Sequence, residues 1–180
     1  MDAAMLIVSL FGLVREPIKL ASIALNDVWA GMALTLLFML AVLFYHREQR
    51  ELPFLFCALA IALLLGFSFK TLLQEPRPCI AVPGKIPCPL DFSLPSLHAL
   101  LAFTLAIVSL GNRSFPIFLL YALFVAFSRV YLGVHTITQV AAGLALAFFA
   151  CVLCELLFRR MKWALPRVVH MRHDSARIRS

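Results

Sequence analysis

The clearest structural signal in this chain is the apolar stretch LPFLFCALAIALLLGFSFKTLL, from Leu52 to Leu73. Over its whole length it carries a single charged side chain, that of Lys70. A helix crosses the hydrocarbon core of a bilayer with about 20 mostly apolar residues. The stretch therefore predicts a membrane-spanning helix with one cation near its end.

The rest of the chain has the same character. Of its 180 residues 63% are hydrophobic and only 14% are charged, and the mean hydropathy is +0.96. A soluble domain of this size would have too little polar surface to cover so much apolar side chain. The composition predicts an all-α integral membrane helical bundle. Five apolar runs are long enough to span, at approximately Val28 to Tyr45, Leu52 to Leu73, Ser96 to Gly111, Phe115 to Leu132 and His135 to Phe158.

The N-terminal apolar stretch from Ala3 to Leu13 is too short to span and is followed by charged residues. It predicts one or two interfacial amphipathic helices, with a sixth span as the alternative. The predicted organisation is an N-terminal segment at 1–27, a transmembrane domain at 28–160 and a basic cytoplasmic tail at 161–180.

The basic residues are distributed as membrane proteins distribute them. The net charge is +7, but Lys and Arg form no single stripe, which argues against nucleic acid as a partner. Because spans alternate in direction, ten of the 16 basic residues fall on one side and six on the other. The ten-residue side is predicted to be cytoplasmic. The six on the opposite side are Arg15, Lys19, Lys70, Arg77, Lys85 and Arg129.

Five polar residues at the ends of the spans are predicted to share the opposite membrane face. Each alone is typical of a snorkelling anchor or a helix start, but ionisable residues gathered at one place in a membrane protein indicate a functional site. They are Lys70, Arg77, His98, Arg129 and His135.

Three permanent cations in one cluster favour an anionic ligand, and Arg and Lys suit phosphate oxygens. The acids on this face, Asp27, Glu75 and Asp91, are too scattered in sequence for a magnesium or calcium cage. Two histidines beside three cations make a poor zinc site. The sequence thus predicts a phosphate site without metal or cofactor.

Two local patterns add detail to this prediction. Leu94 to His98 begins a helix, and the free amides of Ser96, Leu97 and His98 are expected to form an anion pocket. Gln139 lies four residues after His135, where its amide oxygen can accept the Nδ1 proton of His135 and leave Nε2 free to attack phosphorus.

Three ordered blocks resemble the type 2 phosphatidic acid phosphatase (PAP2) superfamily: KTLLQEPRP from Lys70, PSLH from Pro95 and SRVYLGVHTITQ from Ser128. The similarity covers roughly residues 28 to 158. It implies that His135 is the nucleophile and forms a phosphohistidine, and that His98 is the general acid. The phosphate would be bound by Lys70, Arg77, Ser96, the Leu97 amide and Arg129.

The chain departs from the pattern of that superfamily at two positions. Leu97 stands where Gly is common, and Gln139 stands where Asp is usual, so Gln139 can orient His135 but adds no charge. Two branches similar in sequence, the dolichyl diphosphate phosphatases and the glucose-6-phosphatases, also carry Gln there. The sequences EPRPC from Glu75 and SRVYL from Ser128 resemble the dolichyl diphosphate branch more.

The resemblance implies a hydrolase that converts a polyprenyl (dolichyl or undecaprenyl) diphosphate to the monophosphate. Its site would face the extracytoplasmic side of the plasma membrane, or the lumen of the endoplasmic reticulum in a eukaryote. The alternatives are a phosphatase of another lipid phosphate (phosphatidate, phosphatidylglycerophosphate or lipid A), a lipid phosphotransferase, and a non-catalytic phospholipid-binding or transport protein.

Cys79 and Cys88 bracket a short polar loop. They are expected to form a disulfide if that loop faces an oxidising compartment, and to remain free thiols otherwise.

Overall fold

The structure is a computed structural model, and it describes residues 52–82 and 84–164 together with Pro17, Leu20, Thr35, residues 37–40 and Phe44. Most of the predicted segment 1–27, much of the predicted span from Val28 to Tyr45 and the tail beyond Ala164 lie outside the described residues.

The described part of the chain is helical and contains no strand. Both α1 and α5 are long and apolar enough to cross a membrane, whereas α3 and α4 are shorter apolar helices. The predicted helical fold is therefore confirmed for these residues, and the run from Leu52 to Leu73 coincides with α1. The elements are α1 (Leu52–Leu73), α2 (Pro78–Ala81), α3 (Leu97–Val108), α4 (Phe115–Tyr131) and α5 (Ile137–Ala164).

Local backbone chemistry ends α1 before the polar loop. The amide of Gln74 still donates to the carbonyl of Lys70 at 3.1 Å, but Gln74 has a φ of 48°, in the left-handed region. Pro76 and Pro78 follow, and neither can donate a backbone hydrogen bond to extend the helix. Arg77 is extended, at φ −76° and ψ 144°, and precedes α2.

The core lies along α3, which packs against α1, α4 and α5. Small side chains allow this close packing: Ala99, Ala102 and Ala106 on α3 are almost fully buried. Large apolar side chains cover the outside, where Leu64 and Leu72 of α1 and Phe148 of α5 are all more than 60% exposed. An apolar exterior around a packed core fits a bundle that contacts lipid.

The described residues of the predicted first span pack onto α4. The ring of Phe38 lies edge-on to Phe118, with ring centroids 5.9 Å apart, and is tilted against Tyr121 at 5.0 Å. Met39 is buried in the same core cluster. These contacts place the described residues of this run in the bundle.

Gly143 is the point where α5 comes closest to the start of α3. A Cβ atom at Gly143 would lie 2.9 Å from the carbonyl oxygen of Ser96 and 3.2 Å from the amide nitrogen of Leu100. Both of these are backbone atoms, so the helices would have to separate. Because Gly143 has no side chain, the backbone of Ser96 can lie directly against α5.

We predict that Gly143→Ala destabilises the protein. Overpacking costs about 1–3 kcal/mol, and the better helix propensity of Ala returns up to about 1 kcal/mol, which leaves a net loss of about 1 kcal/mol. The measurement is unfolding in a fixed detergent. Gly66→Ala is the matched control, because a Cβ there meets the side-chain Cδ2 atoms of Leu97 and Leu100 rather than backbone atoms. Equal effects of the two substitutions would contradict the role assigned to Gly143.

Candidate active site

His135 lies in the turn between α4 and α5, before the first residue of α5, and only 4% of it is exposed. Gly133, with φ 75°, makes the bend that leads into this turn. The amide of His135 donates to the carbonyl of Arg129 at 3.3 Å. The backbone thereby fixes His135 beside the end of α4.

The carboxamide of Gln139 receives two hydrogen bonds on its oxygen. Oε1 lies 3.2 Å from Nδ1 of His135 and 3.0 Å from the amide nitrogen of Thr136. A backbone N–H can only donate, so the atom facing Thr136 must be the oxygen. That oxygen can only accept from His135, which places the imidazole proton on Nδ1. The predicted contact between His135 and Gln139 is therefore present.

The other imidazole nitrogen faces Arg77. Nη1 of Arg77 lies 3.1 Å from Nε2 of His135 and 3.2 Å from the carbonyl oxygen of Val134. A guanidinium has donors only, so Nε2 must present its lone pair. Burial, followed by the charges of Arg77 and Lys70, lowers the pKa of His135 to about 3. The ring is therefore neutral at physiological pH, with one defined tautomer.

Asp91 lies inside the cation cluster, and this corrects the expectation of a cluster without carboxylates. Its carboxylate pairs with Nζ of Lys70, and its Oδ1 lies 2.6 Å from Nη2 and 3.1 Å from Nε of Arg77. Burial opposes the charge of Asp91, but the hydrogen bonds from Lys70 and Arg77 outweigh it and hold the pKa of this carboxyl below its ordinary value. Asp91 is half-exposed, so its side chain has access to solvent on the side away from the two cations.

Ser96 is the N-cap residue of α3 and is fully buried. Its amide donates to the carbonyl of Gln139 at 3.2 Å, so the expectation that this amide is free was wrong. Its hydroxyl, in contrast, has no hydrogen-bond partner among the described residues. A buried hydroxyl without a partner is costly and calls for an explanation, and a ligand oxygen would satisfy it.

The first turn of α3 also contains Leu97 and His98. The first amides of a helix have no partner within the helix and attract anions, which applies to both residues. His98 is half-buried. It lies near the cations, because the charges of Arg129, Arg77 and Lys70 all act on its imidazole.

Arg129 is almost fully buried at the end of α4. Its Nε donates to the hydroxyl of Ser128 at 3.3 Å, and its carbonyl accepts from the amides of Val134 and His135. Arg129 thus links α4 directly to the histidine turn.

The polar loop between α1 and α3 contributes Arg77 and Asp91 to the cluster. A disulfide between Cys79 and Cys88 links the first half of this loop to the second. The hydroxyl of Ser93, near the end of the loop, donates to the carbonyls of Glu75 and Pro76 at its start, at 2.9 and 3.0 Å. Among the described residues no group of three or more His, Cys, Asp or Glu side chains could hold a metal ion.

Sequence reasoning missed three members of this network, namely Asp91, Ser93 and Glu75. Glu75 accepts a hydrogen bond from Nε2 of Gln139 at 2.7 Å. The only available signal was that Glu75 and Asp91 are acids on the same predicted face as the cations. Their separation in sequence hid their proximity in space.

Fold and cluster together define a helical, membrane-associated protein with a cluster of cations beside two histidines. The sequence profile of the PAP2 superfamily matches residues 51–163, and this chain belongs to that superfamily. The resemblance drawn from the three sequence blocks is confirmed.

Individual relatives agree with this assignment. YbjG of Escherichia coli (strain K12), provisionally named an undecaprenyl-diphosphatase, is 30% identical over 109 residues, which are 58% of this chain and 55% of that protein. The match thus spans about half the length of that curated relative.

Two solved structures share the fold. LpxE of Aquifex aeolicus is 26% identical with a TM-score of 0.62, and the match covers 79% of this chain and 85% of that one. A transmembrane PAP2 type phosphatidylglycerolphosphate phosphatase from Bacillus subtilis is 21% identical with a TM-score of 0.54, covering 84% and 87%. The second likeness shows the fold alone.

We predict that Asp91→Asn strengthens the binding of inorganic phosphate. Removing a carboxylate that competes for Lys70 and Arg77 should tighten binding about fivefold, the size expected for one nearby charge in partly aqueous surroundings. Phosphate binding can be measured as protection against thermal unfolding. Glu155→Gln is the control, since it removes a carboxylate from an ion pair with Arg159 on the distant part of α5. Unchanged or weaker phosphate binding in Asp91→Asn would show that Asp91 does not compete.

Proposed function

We propose that this protein is a metal-independent lipid phosphatase that works through a phosphohistidine on His135. The observation that carries the proposal is the state of His135, whose Nδ1 proton is held by Gln139 while its Nε2 lone pair faces a cation cluster. A neutral imidazole with a fixed tautomer is a good nucleophile toward phosphorus. The surrounding donors suit the charge that develops on the phosphoryl oxygens.

In the first step Nε2 of His135 attacks phosphorus, and the bond from phosphorus to the leaving oxygen breaks. His98 donates a proton to that oxygen. Lys70, Arg77 and Arg129 hold the phosphoryl oxygens, together with the Leu97 amide and the Ser96 hydroxyl, whose partner the phosphate would be. Arg77 must turn from Nε2 toward the phosphate as the substrate replaces Asp91.

In the second step water attacks the phosphohistidine. His98, now neutral, takes a proton from the water, the bond between phosphorus and Nε2 breaks, and inorganic phosphate leaves. The imidazole returns to its Nδ1 tautomer. No metal or cofactor takes part in the proposed cycle.

An apolar groove with a volume of 330 Å³ lies beside the cluster and supports a lipid as the substrate. It lies between α1 and α5, and the turn at Leu94 and Pro95 closes the end next to Ser96. Phe69 and Phe149 are both more than 40% exposed on the outer faces of these helices. A lipid chain lying in this groove would bring its phosphate to the first turn of α3 from within the membrane.

The proposed substrate is a polyprenyl diphosphate, cleaved to the monophosphate. The provisional name of the relative YbjG supports this choice, as does the resemblance of EPRPC from Glu75 and SRVYL from Ser128 to the dolichyl diphosphate branch. We also propose that the chain crosses the membrane five times, with the cluster on the extracytoplasmic or luminal face. The disulfide supports that side, because disulfides persist in oxidising compartments.

We predict that the purified protein releases phosphate from undecaprenyl diphosphate in the presence of EDTA, faster than from phosphatidate or phosphatidylglycerophosphate. His135→Ala should lower kcat by about 1,000-fold or more, because the nucleophile is lost. His46→Ala is the matched control, because His46 lies outside the three sequence blocks, and it should retain activity. Phosphate release that requires added metal would contradict the mechanism, and an active His135→Ala would contradict the assigned nucleophile.

We further predict that Ala145→Trp, which fills the groove, raises KM for a long-chain prenyl diphosphate about tenfold, equivalent to losing about 1.4 kcal/mol of chain contact. It should leave the hydrolysis of a short, water-soluble phosphate monoester unchanged. Leu144→Trp is the control on the same helix, because Leu144 is exposed but does not line the groove. An equal loss for both substrates in Ala145→Trp would show that the groove does not hold the chain.

A further inference from the structure

We infer that Glu75 is a positioning residue for His135, acting through the carboxamide of Gln139. This inference rests on the proposed function, in which His135 is the nucleophile. The contact that carries it is a hydrogen bond of 2.7 Å from Nε2 of Gln139 to Oε1 of Glu75. Gln139 has no carboxylate, and Glu75 supplies one on the side of Gln139 that faces away from His135.

This contact is part of a series of hydrogen bonds in which the donor and the acceptor of each bond are known. Nε2 of Gln139 also donates to the hydroxyl of Ser93 at 2.9 Å, and that hydroxyl donates onward to the backbone carbonyl of Glu75. The amide of Ser93 donates to the same carbonyl at 2.9 Å. Glu75 is therefore tied to this network by its backbone as well as by its side chain.

Each partner of Gln139 permits only one orientation of its amide group. A carboxylate only accepts, so Glu75 demands the NH₂ group, and the Thr136 amide demands the oxygen. If the amide group were reversed, its NH₂ would face Nδ1 of His135 and favour the opposite tautomer, with the proton on the attacking nitrogen. Glu75 therefore helps to keep Nε2 unprotonated.

The charge of Glu75 has a second effect during the reaction. When Nε2 bonds to phosphorus, the imidazole ring becomes cationic and the Nδ1 proton becomes a stronger donor. A carboxylate at the far end of Gln139 polarises the amide group and makes its oxygen a better acceptor, and such effects are larger where water is largely excluded. Gln139 and Ser93 are almost fully buried and Glu75 is partly buried, so water is excluded from the Gln139 end of this contact.

The inference can be tested by exchanging the two side chains. Glu75→Gln should lower kcat about tenfold with little change in KM, because it weakens a contact that matters most in the transition state. Gln139→Glu should place two carboxylates face to face. They can share one proton at low pH, but both ionise and repel as the pH rises. We therefore expect the kcat of Gln139→Glu to fall with increasing pH.

The double variant Glu75→Gln/Gln139→Glu restores one carboxylate and one amide with reversed positions. It should recover kcat to within about threefold of the original protein, because the double exchange restores the coupled pair that each single change breaks, and its pH profile should be normal. Glu155→Gln serves as the control for loss of a carboxylate elsewhere. A fully active Glu75→Gln, or a double variant no better than Gln139→Glu alone, would overturn the inference.

Failure of the proposed function gives a different result. In that case the original protein releases no phosphate from any lipid in the panel, whereas the inference alone fails when His135→Ala is inactive and Glu75→Gln is fully active.

Two measurements need no substrate: the coupling of positions 75 and 139 in thermal unfolding of the four proteins, and the ¹⁵N shifts of the His135 ring. Without coupling, and with the Nδ1 tautomer unchanged in Glu75→Gln, the inference is rejected.

Discussion

A buried donor in apolar surroundings must find an acceptor, and this constraint organises the polar end of the bundle. Lys70 and Arg77 enter the apolar core region with Asp91 as their shared partner. Arg77 also donates a hydrogen bond to Nε2 of His135, and Nδ1 of His135 donates to the oxygen of Gln139. Because each connection is directional, satisfying the cations also fixes the protonation state of the imidazole.

Folding and chemistry thus depend on the same contacts. The close approach at Gly143 holds Ser96 against α5, and the amide of Ser96 bonds to the carbonyl of Gln139. In the proposed mechanism the phosphate would bind the unpartnered hydroxyl of Ser96 and take the place of the Asp91 carboxylate beside the cations. On that proposal the cluster is preorganised for an anion, and Asp91 occupies it until the substrate binds.

Residues within one helix or one turn were predictable from the sequence, because their geometry depends on spacing. The run from Leu52 to Leu73 gave the bounds of α1, and the four-residue spacing gave the contact between His135 and Gln139. Contacts made by the polar loop were not predictable. Asp91 and Glu75 reach the cluster only because the loop folds back, which depends on the disulfide and on Ser93 rather than on any period in the sequence.

The most direct test of the account is to trap the covalent intermediate. The protein would be mixed with prenyl diphosphate labelled with ³²P in its terminal phosphate and quenched in alkali within one turnover. We expect a base-stable, acid-labile label on the peptide that contains His135. Turnover without any labelled protein, or a label carried by His98 instead, would contradict the central claim that His135 attacks phosphorus.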